Sequence, residues 1–321
     1  RRGHAAIVLG TSLLANAAWW WPFLRAGSRA ADPEGASAFA AGADTPFGTL
    51  GSLVLGGGLW NDRTWFVERS TCPVATGALV AVLVVLALAA RHRSWWREPL
   101  TLGVTLAGGA GLVLAALATL PGGAALLELV VTWLPGGGLL RDGQKFAALW
   151  VLLLAVAIAR VVGGLRAAGV PPVVAVVAVV WPVATLPTLA WGHAGAWGSA
   201  DWPEEVDAVA ARLSASPYAV AVFPWSTYRR YERNDDRVVL DPWNRLLAQD
   251  VVSDDRLPLR GGRTVAGEDP AAVAVTEALG EGRDVAQVLR RHGVRWVLVQ
   301  TDQPAPPGAL PELPGEPELV A

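Results

Sequence analysis

The stretch from Val74 to Ala90, VATGALVAVLVVLALAA, contains no charged residue and only one hydroxyl-bearing side chain. A membrane-spanning helix needs about 20 predominantly apolar residues, within a range of roughly 17–25. The stretch therefore predicts a transmembrane helix. Four more stretches meet this criterion approximately, so the sequence predicts an α-helical polytopic membrane region of about five spans; these four are Ala5 to Leu24, Leu100 to Leu120, Phe146 to Val162 and Val170 to Ala190.

The composition of the whole chain agrees with a membrane protein. Of its 321 residues, 53% are hydrophobic and 17% are charged, and the mean hydropathy is +0.38. An ordinary soluble domain is roughly 45–50% apolar and about 25% charged. We therefore expect the lipid bilayer to be a partner of the chain. The formal net charge of −2 lacks the basic excess of a nucleic-acid-binding protein, so we expect no nucleic-acid partner.

Cysteine and histidine usage limits the metal chemistry that the sequence suggests. The single cysteine, Cys72, excludes an internal disulfide framework and a cysteine-based zinc site. The four histidines are too scattered to have the spacing of metal ligands: His4, His92, His193 and His292. The sequence identifies no cofactor and no metal ligand, although a divalent cation held by carboxylates, such as Mg²⁺ or Ca²⁺, stays open.

Arginines in the short loops predict the orientation of the spans. They lie between the second and third spans, between the fourth and fifth, and before the first: Arg91, Arg93, Arg97, Arg160, Arg166, Arg1 and Arg2. The positive-inside rule places all three groups in the cytoplasm. The sequence thus predicts a multi-pass plasma-membrane protein whose transmembrane region, residues 1–191, has outer loops at 25–72 and 121–145. Residues 192–321 are then extracytoplasmic.

The start of the chain is unusual for a complete protein. The chain opens Arg1-Arg2-Gly3-His4, contains no methionine and has no signal peptide with an Ala-x-Ala site. We therefore interpret it as the C-terminal part of a longer protein.

Residues 192–321 predict a small α/β domain. Pro203 to Ser214 starts with proline and two glutamates, followed by apolar residues at helical spacing. The other predicted elements are helices at Ala271 to Leu279 and Asp284 to Arg291, strands at Tyr218 to Phe223 and Val238 to Leu240, and a buried strand at Val294 to Gln300. Helices that alternate with short apolar strands favour a partly parallel sheet. The Pro-rich end, Gln303 to Glu318, is predicted to be disordered.

The segment from Leu139 to Phe146, LLRDGQKF, is the most informative polar motif. It places Arg141 and Lys145 at the predicted outer start of the fourth span. Arginine offers a bidentate fork for phosphate, and lysine offers a point charge. The two side chains are therefore candidate contacts for a lipid-linked phosphate. The competing interpretation, which charge content alone favours, is that they are interfacial anchors that reach the lipid headgroups.

Carboxylates beside aromatic rings make the first outer loop a second candidate region. It holds Asp32, Glu34, Asp44, Asp62 and Glu68 with Trp60, Trp65 and Phe66. A carboxylate to abstract a proton and a ring to face a sugar are features of carbohydrate-handling sites. A solvated loop with a few buried aromatics explains the same pattern, and we favour that interpretation. Spacing alone singles out no acid here.

The motifs together resemble a known family. An outer loop and several spans are followed by Leu140 to Phe146 at the start of a span, and then by an α/β domain with Gly293 to Val299. This order resembles the C-terminal half of an actinobacterial polytopic membrane glycosyltransferase of the GT-C type. The resemblance implies transfer of a sugar from a polyprenyl-phosphate donor to a glycan acceptor at the extracytoplasmic face. It also implies a catalytic acid in an N-terminal loop that this chain lacks, so the catalytic residue is unknown and only Arg141 and Lys145 are carried over. The chain departs from the class in having about five spans rather than more than eight.

Two other functions stay open. A non-catalytic membrane protein could use the outer domain to bind cell-envelope glycan or a partner protein. A transporter is the weakest alternative, because the predicted spans hold almost no ionisable residues for a substrate or proton path.

Overall fold

A computed structural model of the chain describes residues 2–26, 32, 34–134, 137–198, 202–259 and 262–303. The chain divides into two compact units, Arg1–Trp197 and Gly198–Ala321, a few residues beyond the predicted boundary after Trp191. The first unit is helical and the second contains the sheets.

The helices of the first unit are, in chain order, α1 (Arg2–Ala15), α2 (Ala17–Ala26), α3 (Gly35–Ala38), α4 (Gly48–Val54), α5 (Cys72–Arg91), α6 (Arg93–Arg97), α7 (Pro99–Ala116), α8 (Gly123–Trp133), α9 (Ala147–Ala167), α10 (Pro172–Ala184) and α11 (Ala190–Ala194). Short 3₁₀ turns lie between them at Asp62–Thr64, Val67–Ser70, Leu117–Thr119, Gly137–Leu140, Gly143–Phe146 and Pro187–Leu189.

Within the part of the chain that the structure describes, three helical segments are long and apolar enough to cross a membrane: Cys72–Arg91, Pro99–Thr119 and Gly143–Ala167. Many apolar side chains on the surfaces of these helices are exposed. Val80 and Leu83 on α5, for example, are each 54% exposed. Such exposed apolar surface is unfavourable in water and suits a lipid environment. The predicted membrane class is therefore supported by three of the five predicted spans.

The first and fifth predicted spans are not continuous helices. Ala5 to Leu24 is divided between α1 and α2 at Asn16, whose side-chain amide donates to the carbonyl of Ser12 and so competes with the helical hydrogen bonds. Val170 to Ala190 ends as α10 after Pro182 and turns by 69° into the segment Pro187–Ala194. Proline removes a helical N–H donor and favours such a bend. The bent pair gives a fourth span only if it counts as one.

Small residues allow α7 and α9 to approach each other closely. A Cβ atom at Gly108 would lie 2.8 Å from the Cβ of Leu153, and one at Gly111 would lie 2.5 Å from the carbonyl oxygen of Phe146. Close packing of backbones at small residues is a main source of helix association in membranes, where lipid tails remove the hydrophobic driving force. The α7–α9 pair therefore forms the centre of the first unit.

The helices and strands of the second unit are α12 (Glu204–Ser214), β1 (Ala219–Phe223), β2 (Tyr228–Arg230), β3 (Val238–Leu240), α13 (Trp243–Leu246), β4 (Val251–Val252), β5 (Leu257–Pro258), β6 (Thr264–Val265), α14 (Pro270–Glu281), α15 (Val285–Arg291) and β7 (Val294–Val299). A 3₁₀ turn spans Glu232–Asn234. These elements confirm the helices and strands predicted between Pro203 and Gln300.

A parallel sheet of order β4-β1-β7 forms the core of the second unit. The fully buried side chains of β1 alternate between two clusters: Ala221 and Phe223 pack with α14 and α15, whereas Val220 and Val222 pack with α12 and α13. This alternation follows from the two-residue period of a strand and gives a sheet covered on both faces. Two antiparallel hairpins, β2-β3 and β5-β6, complete the unit.

Two predictions for the end of the chain need correction. The strand predicted as buried from Val294 to Gln300 ends at Val299, and only Val294 in it is fully buried because β7 lies at the sheet edge. Gln303, placed in the disordered end, is instead buried, and its side chain exchanges hydrogen bonds with the backbone of Arg230. The rest of the Pro-rich end lies outside the described residues.

We expect Gly111→Ala to lower the free energy of unfolding by about 1–3 kcal/mol, because the added methyl must displace the backbone of Phe146, which directly precedes α9. Gly109→Ala is the matched control, since a Cβ at Gly109 meets nothing within 4 Å. Thermal unfolding of the two purified variants in the same detergent measures the difference. Equal stability of the two variants would contradict the close approach of α7 and α9.

Candidate functional site

A buried ion pair organises the loop between α3 and α5. Arg69 Nε donates to Asp44 Oδ2 at 2.6 Å, and the two side chains are only 13% and 5% exposed. The Arg69 guanidinium also donates to the carbonyl oxygens of Leu55 and Ser52. Asp44 additionally accepts the backbone N–H of Gly58 at 3.3 Å. The pair thus ties both ends of the loop to α4 and its following turn.

The loop packs on the ends of two long helices. Leu53 of α4 shares a buried cluster with Ala115 and Ala116 of α7 and Ala147 of α9. The indole of Trp150 donates to the carbonyl of Val54 at 2.8 Å. Because these contacts come from helix ends that are themselves packed together, the Asp44–Arg69 pair has a fixed position relative to the spans.

An apolar cleft of about 620 Å³ lies between α5, α9 and α10. Small and branched apolar residues such as Ala78, Ala155 and Val177 line most of it. Its polar lining is confined to Thr45, Arg69 and Thr185. We call this space the apolar cleft. It has long apolar walls and one cationic side chain, that of Arg69. Such a cleft is able to hold an apolar chain with a polar group at one end.

The sequence-predicted phosphate contacts lie elsewhere on the first unit. The side chain of Arg141 passes over Gly35, where it leaves no room for a Cβ atom, and its guanidinium carbon lies 5.1 Å from the centre of the Phe39 ring. Lys145 is exposed, with its Nζ 5.6 Å from the ring centre of Phe146. The lining of the apolar cleft is formed by other residues. The role of Arg141 and Lys145 as phosphate contacts stays a prediction.

Glu68 joins the loop to the bent segment after α10. Its two carboxylate oxygens accept the backbone N–H and the hydroxyl of Thr188, at 2.8 and 2.6 Å. Burial disfavours the charged carboxylate, but these hydrogen bonds and the nearby His193 outweigh it, so the pKa of Glu68 is lowered. The ring of His193 lies between Phe66 and Trp197, and its Nδ1 is buried without a hydrogen-bond partner.

A buried polar network lies at the carboxyl ends of the parallel strands in the second unit. In open α/β sheets, ligands bind beyond the carboxyl ends of the strands where the strand order reverses, which here is next to β1. The β2-β3 hairpin carries Arg229 to this edge, with its Nη2 2.6 Å from Asp241 Oδ2. The side chain of Gln300, which follows β7, contacts Asp241 and accepts the hydroxyl of Tyr231. The position where such folds bind a ligand is therefore occupied by side chains of the protein itself.

Burial controls the ionisation of this network. It raises the pKa of Asp241 despite the opposing charge of Arg229, and burial together with the negative charge of Asp241 raises the pKa of Tyr231. Arg229 Nε is buried without a hydrogen-bond partner. The sequence does not reveal this network, because its members are separated by up to 71 residues between Arg229 and Gln300 and meet only through the sheet.

The other polar motifs of the second unit are locally satisfied. The hydroxyl of Ser226 hydrogen-bonds to the backbone of Tyr228. Asp254 pairs with Arg256 at 2.8 Å. Among the described residues, no group of three or more histidine, cysteine, aspartate or glutamate side chains has the arrangement of a metal site.

Because the pKa of Glu68 is lowered in the folded protein, its contribution to stability is present above its ordinary pKa and is lost as the pH falls through the lowered value. We expect Glu68→Gln to lower the unfolding temperature more at about pH 7 than at about pH 3, because pH 3 lies below the ordinary pKa of glutamate and part of the contribution is already lost there. Differential scanning calorimetry at both pH values measures this effect. Glu128→Gln on α8 controls for loss of a carboxylate elsewhere, and an equal loss at both pH values would contradict the assignment.

Comparison with known proteins adds no relative: no protein-family model, curated protein or solved structure matches the chain.

Proposed function

We propose that this chain is an integral membrane protein resembling a glycosyltransferase that uses a polyprenyl-phosphate-linked sugar. In this proposal the prenyl chain occupies the apolar cleft, and the loops at 25–72 and 121–145 and the second unit face the extracytoplasmic side of the plasma membrane. The observation that carries it is the cleft itself, which combines apolar walls on α5, α9 and α10 with Arg69 and Thr45.

The physical case for a lipid chain rests on the chemistry of the walls. The cleft is lined by helices whose outer surfaces are also apolar, so an apolar chain gains little hydrophobic free energy by moving there from the bilayer. Its binding must come from close packing against small side chains such as Ala78 and Ala81. Arg69 and Thr45 make one end of the cleft polar, which would determine the direction in which the lipid lies.

The reaction would be an inverting displacement. An acceptor hydroxyl, deprotonated by a carboxylate, attacks the anomeric carbon while the bond from that carbon to the lipid phosphate oxygen breaks. The departing phosphate takes the electron pair and is stabilised by cations, for which Arg141 and Lys145 are the proposed groups. We assign no catalytic base, because Asp44 is held by Arg69 and Glu68 by Thr188. A divalent cation would be an addition to this scheme and is not assigned a site.

We expect Ala78→Phe to weaken binding of a polyprenyl phosphate by about tenfold or more, because the added ring fills the apolar cleft. Ala87→Phe is the matched control on the same helix, since Ala87 is exposed and lies outside the lining. Native mass spectrometry of the detergent-solubilised protein with a short polyprenyl phosphate measures the bound fraction. Equal loss of binding in the two variants, or no binding by the wild type, would overturn the proposal.

We expect the double variant Arg141→Ala/Lys145→Ala to abolish sugar transfer in the full protein while its amount in the membrane stays unchanged. The reason is that the departing lipid phosphate would lose both cations. Transfer is measured in membranes with a radiolabelled polyprenyl-phosphate sugar, and immunoblotting measures the amount. Normal transfer by the double variant would remove the proposed role of these residues.

The second candidate function is a non-catalytic protein that binds envelope glycan or a partner protein. It is favoured by the structural use of Asp44 and Glu68, whose carboxylates are already bound by other side chains. This function requires no acid, so glycan binding by the purified protein would survive replacement of the exposed acids Glu34 and Asp62 by their amides. The glycosyltransferase proposal, in contrast, does not require the purified protein to bind glycan when no lipid-linked donor is present.

A further inference from the structure

We propose that the hydrogen-bonded pair of Glu68 and Thr188 is a latch that controls entry of an apolar chain into the apolar cleft. The identity of the entering chain rests on the proposed function, but the latch itself rests on the geometry of the first unit.

The latch lies at the edge of the cleft and joins two of its walls. On one side, Glu68 directly precedes Arg69, which lines the cleft and is fixed by Asp44. On the other side, Thr188 closely follows Thr185 and Leu186, which also line the cleft. The pair therefore connects a fixed part of the loop to the end of the α10 wall.

The bonding between the two residues is suited to holding that wall. Thr188 donates both its backbone N–H and its hydroxyl, one to each oxygen of the Glu68 carboxylate. Two bonds to one carboxylate restrict orientation as well as distance. The edge-to-face contact between the rings of Phe66 and His193, with Trp197 stacked on His193, adds a second contact between the same two segments.

The wall that the latch holds is the least anchored of the three. None of the residues of α10 is buried, whereas α9 contributes Ala147, Leu153 and Ala157 to buried clusters. The helix contains Pro182 and is followed by the 69° bend. A bend at proline, next to a lightly packed helix, is a place where a wall can swing without breaking regular helical hydrogen bonds. Release of Thr188 would thus open the cleft along α10.

Exchange kinetics of a bound lipid test the latch. We expect Thr188→Val to raise both the association and the dissociation rate of a fluorescent polyprenyl phosphate by about threefold to tenfold, with a smaller change in Kd. A residue that simply contacts the lipid would change Kd chiefly through dissociation. Thr132→Val on α8 is the matched control, because its hydroxyl bonds only within its own helix, to the carbonyl of Glu128. Thr188→Val removes the hydroxyl donor and keeps the backbone N–H, whereas Glu68→Ala removes both acceptors. Wild-type exchange rates in both variants would overturn the latch.

A second measurement needs no lipid. In a Cys72→Ser background, Val74→Cys places one thiol in the lining of the cleft on α5. We expect the thiol to react with a maleimide several times faster when Thr188→Val is added, and at an unchanged rate when Thr132→Val is added. Unchanged reactivity in both would overturn the latch. Absence of lipid binding by the wild type, combined with faster labelling after Thr188→Val, would instead overturn the proposed function and leave the latch supported.

Discussion

The ion pair between Asp44 and Arg69 is the constraint on which the arrangement of the first unit depends. A charged pair this well buried is costly to desolvate, and it is tolerated because the remaining donors and acceptors are satisfied by Ser52, Leu55 and Gly58. It fixes the loop on the ends of α7 and α9 and sets Arg69 at the apolar cleft. The neighbouring Glu68 then reaches the segment beyond α10.

The two units use charge for different purposes. In the first unit, the buried cation lies beside a space large enough for another molecule, which is why we assign the cleft a ligand. In the second unit, a ligand would be expected at the carboxyl ends of the strands, but this position is occupied by Arg229, Asp241, Tyr231 and Gln300. The proposed chemistry is accordingly placed in the membrane unit, and binding of a glycan or partner protein is left to the surface of the second unit.

Helix packing in the first unit follows a gradient from rigid to loosely held. Gly108 and Gly111 let α7 and α9 approach to backbone contact, whereas α10 has no buried residue and bends after Pro182. In a bilayer, where burial of apolar surface gives little driving force, closeness of contact decides which helices are held firmly. The cleft lies between the firm and the loose parts, which agrees with the proposed entry of a long apolar chain.

Sequence by itself determined the features that depend on local pattern. Runs of apolar residues identified the three long helices, and strand and turn signals located β1, β3 and β7 almost to the residue. Local pattern predicted the first and fifth spans as continuous helices, because hydropathy does not register the breaks at Asn16 and after Pro182. Only the tertiary structure decided which charges matter. Arg69 meets Asp44 25 residues away, and Glu68 meets Thr188 120 residues away, through contacts that no spacing rule encodes. Arg141 and Lys145 stood out because they flank a span, but the packing of Phe39 and Gly35 around Arg141 depends on where the folded loop lies.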